Sequence, residues 1–232
     1  MSLTKDIFAS TNIPVGRTTL RHLLLAFVLF SIPVITFAVV ANEVMDGETL
    51  PYDDRILMGI YRYSSVTLDA VITTITNFGG ATFVVGVMTT IIGVLLWRKK
   101  WQSIVQLSFG ILGAGAWGLL LKIVFERDRP NLWAHLVNET TYSFPSGHAM
   151  ISAALAFSLV AILWHTKWRW TAISIGGVYM IVIGLTRLYL GVHYPTDIFA
   201  GWLVSFAWVI LVGAILGAVQ PRQFIKKLRP KK

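Results

Sequence analysis

The sequence predicts an all-α membrane protein, and three observations predict it. The mean hydropathy is +0.67 and only 13% of the 232 residues are charged, about half of what a soluble surface needs. Six stretches stay apolar for about the 20 residues that cross a bilayer as helix, and the charged residues gather between them. Irregular backbone cannot face lipid, because its hydrogen bonds would go unmade, so each stretch is expected as a helix. The expected architecture is polytopic, with residues 1–232 forming a single membrane-embedded domain. It has six transmembrane helices plus short interfacial helices on the extracytoplasmic side.

The first span is expected at about residues 20–41, uncharged from Leu23 onward, with Pro33 as a kink. A leader cleaved after Val39-Val40-Ala41 is the alternative, but the apolar run is long for one. Residues 43–77 form a polar stretch holding Glu43, Asp46, Glu48, Asp53, Asp54 and Asp69. Within it Ile56–Tyr63 and Val66–Asn77 mix apolar with polar residues, which predicts helices lying in the interface, with plain loop as the alternative. The second span is expected at about 78–97 and the third at 101–125. The third carries Gly110, Gly113, Gly115 and Gly118, where neighbouring helices can come close, and Lys122 near its end. The remaining spans are expected at about 146–164, 170–187 and 195–219. No internal repeat or low-complexity segment interrupts them.

Charge sets the orientation. Of the 20 Lys and Arg residues, 14 fall on one side of the expected spans: Lys5, Arg17, Arg21, Arg98, Lys99, Lys100, Lys167, Arg169, Arg222, Lys226, Lys227, Arg229, Lys231 and Lys232. Short cytoplasmic loops retain Lys and Arg, so both termini are expected in the cytoplasm. All 11 acidic residues except Asp6 fall on the other side. The net charge of +9 is thus an orientation signal and a contact with anionic membrane lipid, not a nucleic-acid surface. With no cysteine, the chain has neither a disulfide framework nor a thiolate metal site nor a cysteine nucleophile.

Three polar blocks then meet at the extracytoplasmic face. The first runs from Lys122 to Arg129 and Pro130; by itself it also fits a snorkelling lysine and a loop arginine. The second is Pro145-Ser146-Gly147-His148 before the fourth span. Ser146 is a good N-cap, Gly147 allows close backbone approach, and the unpaired amides of a helix N-terminus hold anionic oxygens. The third places Arg187, His193 and Asp197 around Pro195, the expected first residue of the sixth span. A carboxylate beside an imidazole fixes its tautomer and leaves the other nitrogen free to attack, although an interfacial histidine that only caps is the alternative. Together they supply three cations, one helix N-terminus and two histidines, the set that phosphoryl transfer requires because its charge spreads over three equatorial oxygens.

In order and internal spacing, Lys122 through Pro130, Pro145 through His148 and Arg187 through Asp197 resemble the three-part signature of the type 2 phosphatidic acid phosphatase superfamily. The likeness covers about residues 20–219, and Thr186 stands where that pattern often has Ser. The resemblance implies that His193 attacks phosphorus to form a phosphohistidine while Asp197 holds its ring. It also implies that His148 protonates the leaving oxygen and then activates water. Lys122, Arg129, Arg187, Ser146 and the Gly147 amide are implied to bind the phosphoryl oxygens, with no metal and no cofactor. Glu126 and Asp128 read as loop acids.

A site at the rim of a helix bundle suits a lipid phosphate, whose head group lies at the interface while its tails stay in the bilayer. The resemblance points to phosphatidylglycerol phosphate or undecaprenyl pyrophosphate, then to phosphatidic acid or diacylglycerol pyrophosphate, in a bacterial plasma membrane. An anion transporter and a non-catalytic lipid-binding protein are the readings from other classes. Charges confined to one face and the lack of a repeat argue against the first. The complete set of motif residues argues against the second.

Overall fold

The structure is a computed structural model and describes residues 17–219, which hold eight α-helices, one short 3-10 turn and no strand. The helices are α1 (Arg17–Met45), α2 (Leu50–Tyr61), α3 (Val66–Thr76), α4 (Ala81–Trp97), α5 (Trp101–Phe125), α6 (Gly147–Leu163), α7 (Arg169–Tyr189) and α8 (Pro195–Val219). Their ends follow local chemistry. Ser65 caps α3 by accepting from the Leu68 amide at 3.3 Å, and Ser146 caps α6 by accepting from the Ala149 amide at 3.4 Å. Pro195 opens α8, where its missing N–H costs nothing. Glu126 ends α5 in the left-handed region with φ 44°, its amide closing on the Lys122 carbonyl. Pro33 lies within α1 without ending it.

Helices α1, α5, α7 and α8 are long and apolar enough to cross a membrane, a fifth crossing being available if α3 and α4, bent by 46° at Gly80, act as one broken span. Helix α6 is apolar but has 17 residues, about 26 Å at 1.5 Å per residue. The chain is therefore an all-helical polytopic membrane protein. Against the expected interfacial pieces, α2 begins six residues earlier than Ile56, because Pro51 provides a helix start. The basic residues expected at the two chain ends, Lys5 and Arg222 to Lys232 among them, lie outside the described residues.

Helix α6 is the central post, packed by α4, α5, α7 and α8. Its buried face is built from small residues, Ser152, Ala153, Ala154, Ala156 and Ser158, which let neighbouring backbones approach. Three of the four expected glycines in α5 are such contacts. A Cβ at Gly110 would come within 2.4 Å of Ser158 Oγ, at Gly113 within 2.2 Å of Trp208, and at Gly118 within 3.0 Å of Met150, whereas Gly115 has only ordinary room. Packing of this kind, not exclusion of water, drives association where lipid surrounds both partners.

Helices α2 and α3 sit at the end where α5 and α7 finish and α6 and α8 start. Leu57 of α2 is fully buried with Ala149, Leu188, Tyr194 and Ile198. On the other flank Phe37 of α1 packs with Phe125 and Phe144. These two clusters clamp the loop 126–146 and the α7–α8 turn, which carry most of the polar side chains described next.

Candidate active site

Residues from the ends of four helices and two loops meet here. Asp197, in the first turn of α8, accepts from the Tyr194 amide at 2.9 Å and lies 3.2 Å from His193 Nδ1. His193 Nε2 lies 3.2 Å from Arg129 Nη1. A guanidinium can only donate, so Nε2 carries the lone pair and Nδ1 carries the proton that Asp197 accepts. Burial, then the charges of Arg187, Arg129 and Lys122, push the His193 ring well below its ordinary pKa and keep it neutral. The result is an unprotonated nitrogen facing cations, the state a nucleophilic imidazole needs.

Each expected cation is held by anchors of its own. Arg129 donates from Nε to the Thr141 carbonyl at 2.8 Å and from Nη1 to the Val192 carbonyl at 2.7 Å. Arg187, almost fully buried at the end of α7, donates from Nη1 to Thr76 Oγ1 at 2.9 Å. Thr186 ties the same Thr76 hydroxyl at 3.1 Å, so the hydroxyl beside the arginine braces α7 against α3. Lys122 is buried in the last turn of α5, its ammonium donating to the Tyr142 carbonyl.

The second block forms the floor. Ser146 is fully buried and its amide donates to the Asp197 carbonyl at 3.1 Å, locking the start of α6 to the start of α8. A Cβ at Gly147 would meet no protein atom, so the approach to this helix end is open. His148 is half-buried, with its Nε2 turned toward Gly80 at the α3–α4 bend. All eight expected residues, Lys122, Arg129, Ser146, Gly147, His148, Arg187, His193 and Asp197, thus lie at one end of the bundle.

Four further residues complete the site, and none was expected from sequence. Glu139, on the 126–146 loop, accepts from Arg187 Nη2 through Oε1 and from Arg129 Nη2 at 3.5 Å through Oε2. Burial alone would raise its pKa, but Arg187 and Arg129 outweigh that, with smaller help from His193 and His148, and hold the carboxyl below its usual range. Arg127 reaches Asp197 Oδ1 at 2.5 Å, Thr196 Oγ1 at 2.8 Å and Asp53 Oδ2 at 2.9 Å, and stacks 4.0 Å over the Tyr194 ring. Asp53, buried in α2, also accepts from the Thr196 amide and hydroxyl at 3.2 and 2.6 Å. Thr76 is the fourth. The R-x-R spacing after Lys122 was the one available signal for Arg127; Asp53 and Glu139 sit in polar stretches of ordinary composition. Of the two loop acids, Glu126 forms the end of α5 and Asp128 contributes its backbone carbonyl to Ser143 Oγ at 3.0 Å. Among the described residues, no three His, Asp or Glu side chains cluster as metal ligands.

The chain is similar to known membrane phosphatases. The chain is 31% identical over 185 residues to phosphatidylglycerophosphatase B of Bacillus subtilis, covering 76% of this chain and 89% of that protein. It is 34% identical over 89 residues to an undecaprenyl-diphosphatase of Sulfolobus acidocaldarius, covering 38% of this chain and 40% of the relative. The crystal structure of a transmembrane PAP2 type phosphatidylglycerolphosphate phosphatase from Bacillus subtilis superposes with a TM-score of 0.72 at 25% identity, covering 87% of this chain and 98% of that one. The family model of the PAP2 superfamily matches residues 103–220, the segment that carries all eight expected residues. By motif, fold and relatives alike, the chain belongs to the PAP2 superfamily.

Proposed function

We propose that this protein hydrolyses a lipid phosphate at the extracytoplasmic face of a bacterial plasma membrane, through a phosphohistidine on His193. The observation that carries the reading is the buried, neutral His193, with its proton held by Asp197 and its free nitrogen among Arg129, Arg187 and Lys122. In the first step Nε2 attacks phosphorus, the N–P bond forms as the P–O bond breaks, and His148 gives its proton to the leaving oxygen. In the second, His148 takes a proton from water, whose oxygen attacks phosphorus and releases inorganic phosphate and His193. Lys122, Arg129, Arg187, Ser146 and the Gly147 amide bind the equatorial oxygens, and no metal takes part.

The chain crosses the membrane six times in this reading, with α4 and α6 as short spans, α2 and α3 in the interface, and both termini cytoplasmic. Arg98, Lys99, Lys100, Lys167 and Arg169 lie in the turns opposite the site, which supports that orientation. An apolar crevice of about 270 Å³ between α1, α5 and α8, lined by Phe37, Leu121 and Leu203 among others, supports a lipid substrate. The relatives make phosphatidylglycerol phosphate and undecaprenyl pyrophosphate the first substrates to test, with phosphatidic acid and diacylglycerol pyrophosphate after them. The deciding assay compares kcat/KM for phosphate release across these lipids at equal detergent mole fraction, wild type beside His193→Ala. The variant is expected to lose turnover on every lipid. If it keeps a large fraction of the wild-type rate on any of them, His193 is not the nucleophile.

A further inference from the structure

Arg187 presents its donors unevenly. Nη1 is held by Thr76 and Nη2 by Glu139, while Nε is buried and has no hydrogen-bond partner among the described residues. The Nε–Nη2 edge of a guanidinium is the edge that grips a phosphate through two parallel hydrogen bonds. Here one carboxylate oxygen occupies half of that edge, and the other oxygen of the same carboxylate lies on Arg129 Nη2. Glu139 thus bridges the two arginines as an anion would.

The bridge is not needed to hold either arginine in place. Arg187 keeps Thr76, and Arg129 keeps the Thr141 and Val192 carbonyls. Glu139 itself is the movable partner: its side chain is 24% exposed, against 2% for Arg187 and 11% for Arg129, and its neighbours Asn138 and Thr140 are exposed. Taking the cradle as the phosphoryl site, as above, we propose that Glu139 is an internal competitor that the substrate phosphate displaces and that re-enters to expel the inorganic phosphate product. Three cations and a helix N-terminus would otherwise retain a small dianion, which is the last species to leave. A carboxylate tethered beside the site acts at high effective concentration, so its competition is constant whatever the solution holds.

The test is equilibrium dialysis of radiolabelled inorganic phosphate against the purified full-length protein in detergent, for wild type, Glu139→Gln and Arg187→Ala. Gln keeps the shape and removes the charge, and is expected to lower the Kd for phosphate by about tenfold or more, the order of one charge-assisted contact. An unchanged or higher Kd in Glu139→Gln overturns the competitor. Arg187→Ala is expected to lose phosphate binding; if it binds as tightly as wild type, the cradle itself is misplaced. A second measurement needs no variant. Hydrogen exchange of residues 131–142 in the wild type is expected to quicken when phosphate is added, because the loop loses one of its anchors, and unchanged or slower exchange overturns the proposal.

Discussion

Replacing Arg127 by Met tests whether the proposed nucleophile depends on a residue that reaches it only through Asp197. The Arg127 side chain is 8% exposed and its guanidinium pairs with the carboxylates of Asp53 and Asp197, whose side chains are 2% and 0% exposed. Met fills much of the same volume but leaves both carboxylates buried without a counter-charge, and removing one partner of a buried ion pair costs about 3–5 kcal/mol. A loss of that size is a large part of the stability of a folded protein, so Arg127→Met is expected to unfold well below wild type in detergent. Asp197 would then share a proton or turn away, and His193 would lose the partner that sets its tautomer. A misplaced nucleophile lowers kcat by about a hundredfold. Adding Asp53→Asn to Arg127→Met removes one stranded charge and is expected to recover part of the melting temperature. It should leave kcat low, because Asp197 still lacks its guanidinium. The assay is thermal unfolding beside lipid-phosphate hydrolysis for the four members of the cycle. Arg127→Met with wild-type melting and a kcat within threefold of wild type would refute the reasoning.

Three other outcomes are expected. His193 has a depressed pKa in the folded state, so between the ordinary histidine value of about 6.5 and the folded one the unfolded chain binds a proton that the folded chain refuses. Stability should therefore fall on acidification below about pH 6.5, by up to about 1.4 kcal/mol per pH unit from this group. Equal slopes in wild type and His193→Gln would show that His193 does not contribute. Gly191→Ala should destabilise by about 2–4 kcal/mol, since Gly191 has φ +68° and a Cβ would come within 2.6 Å of Trp133; a melting temperature equal to wild type would contradict this. Phosphate release should persist at its full rate in excess EDTA, and activity that appears only with added magnesium would contradict the histidine mechanism.

The parts of the site with a strong local signature were legible in the sequence. Ser146 and Pro195 are helix starts whatever surrounds them, and Asp197 follows His193 at a spacing that the first turn of a helix converts into contact. Helices α5 and α8 match the expected bounds because apolar runs in a membrane end where polarity begins. Asp53 and Glu139 were not legible. Their partners lie 74 and 48 residues away in the chain, and a buried carboxylate in a polar stretch resembles a solvated one until the fold is known. Thr76 was hidden for the same reason: one hydroxyl among several in α3 becomes a brace only when α7 crosses beside it. The six expected spans correspond to six helices, two of which, α4 and α6, have 17 residues.

The bridge from Asp53 through Arg127 to Asp197 has a consequence for how the enzyme is made. It links segments 74 and 70 residues apart, and the chain leaves the ribosome from its N-terminal end. Asp53 and Arg127 emerge first, one an acid and the other a base, able to pair while the later helices are still being synthesised. His193 and Asp197 are the last site residues to be made, and the rest of α8 follows them to close against α6. If His193 is the nucleophile, a half-inserted chain has the proposed phosphate cradle but nothing to attack with. On the proposed mechanism, hydrolysis begins only when the final helix is in place, and an immature copy does not act on the membrane that is assembling it.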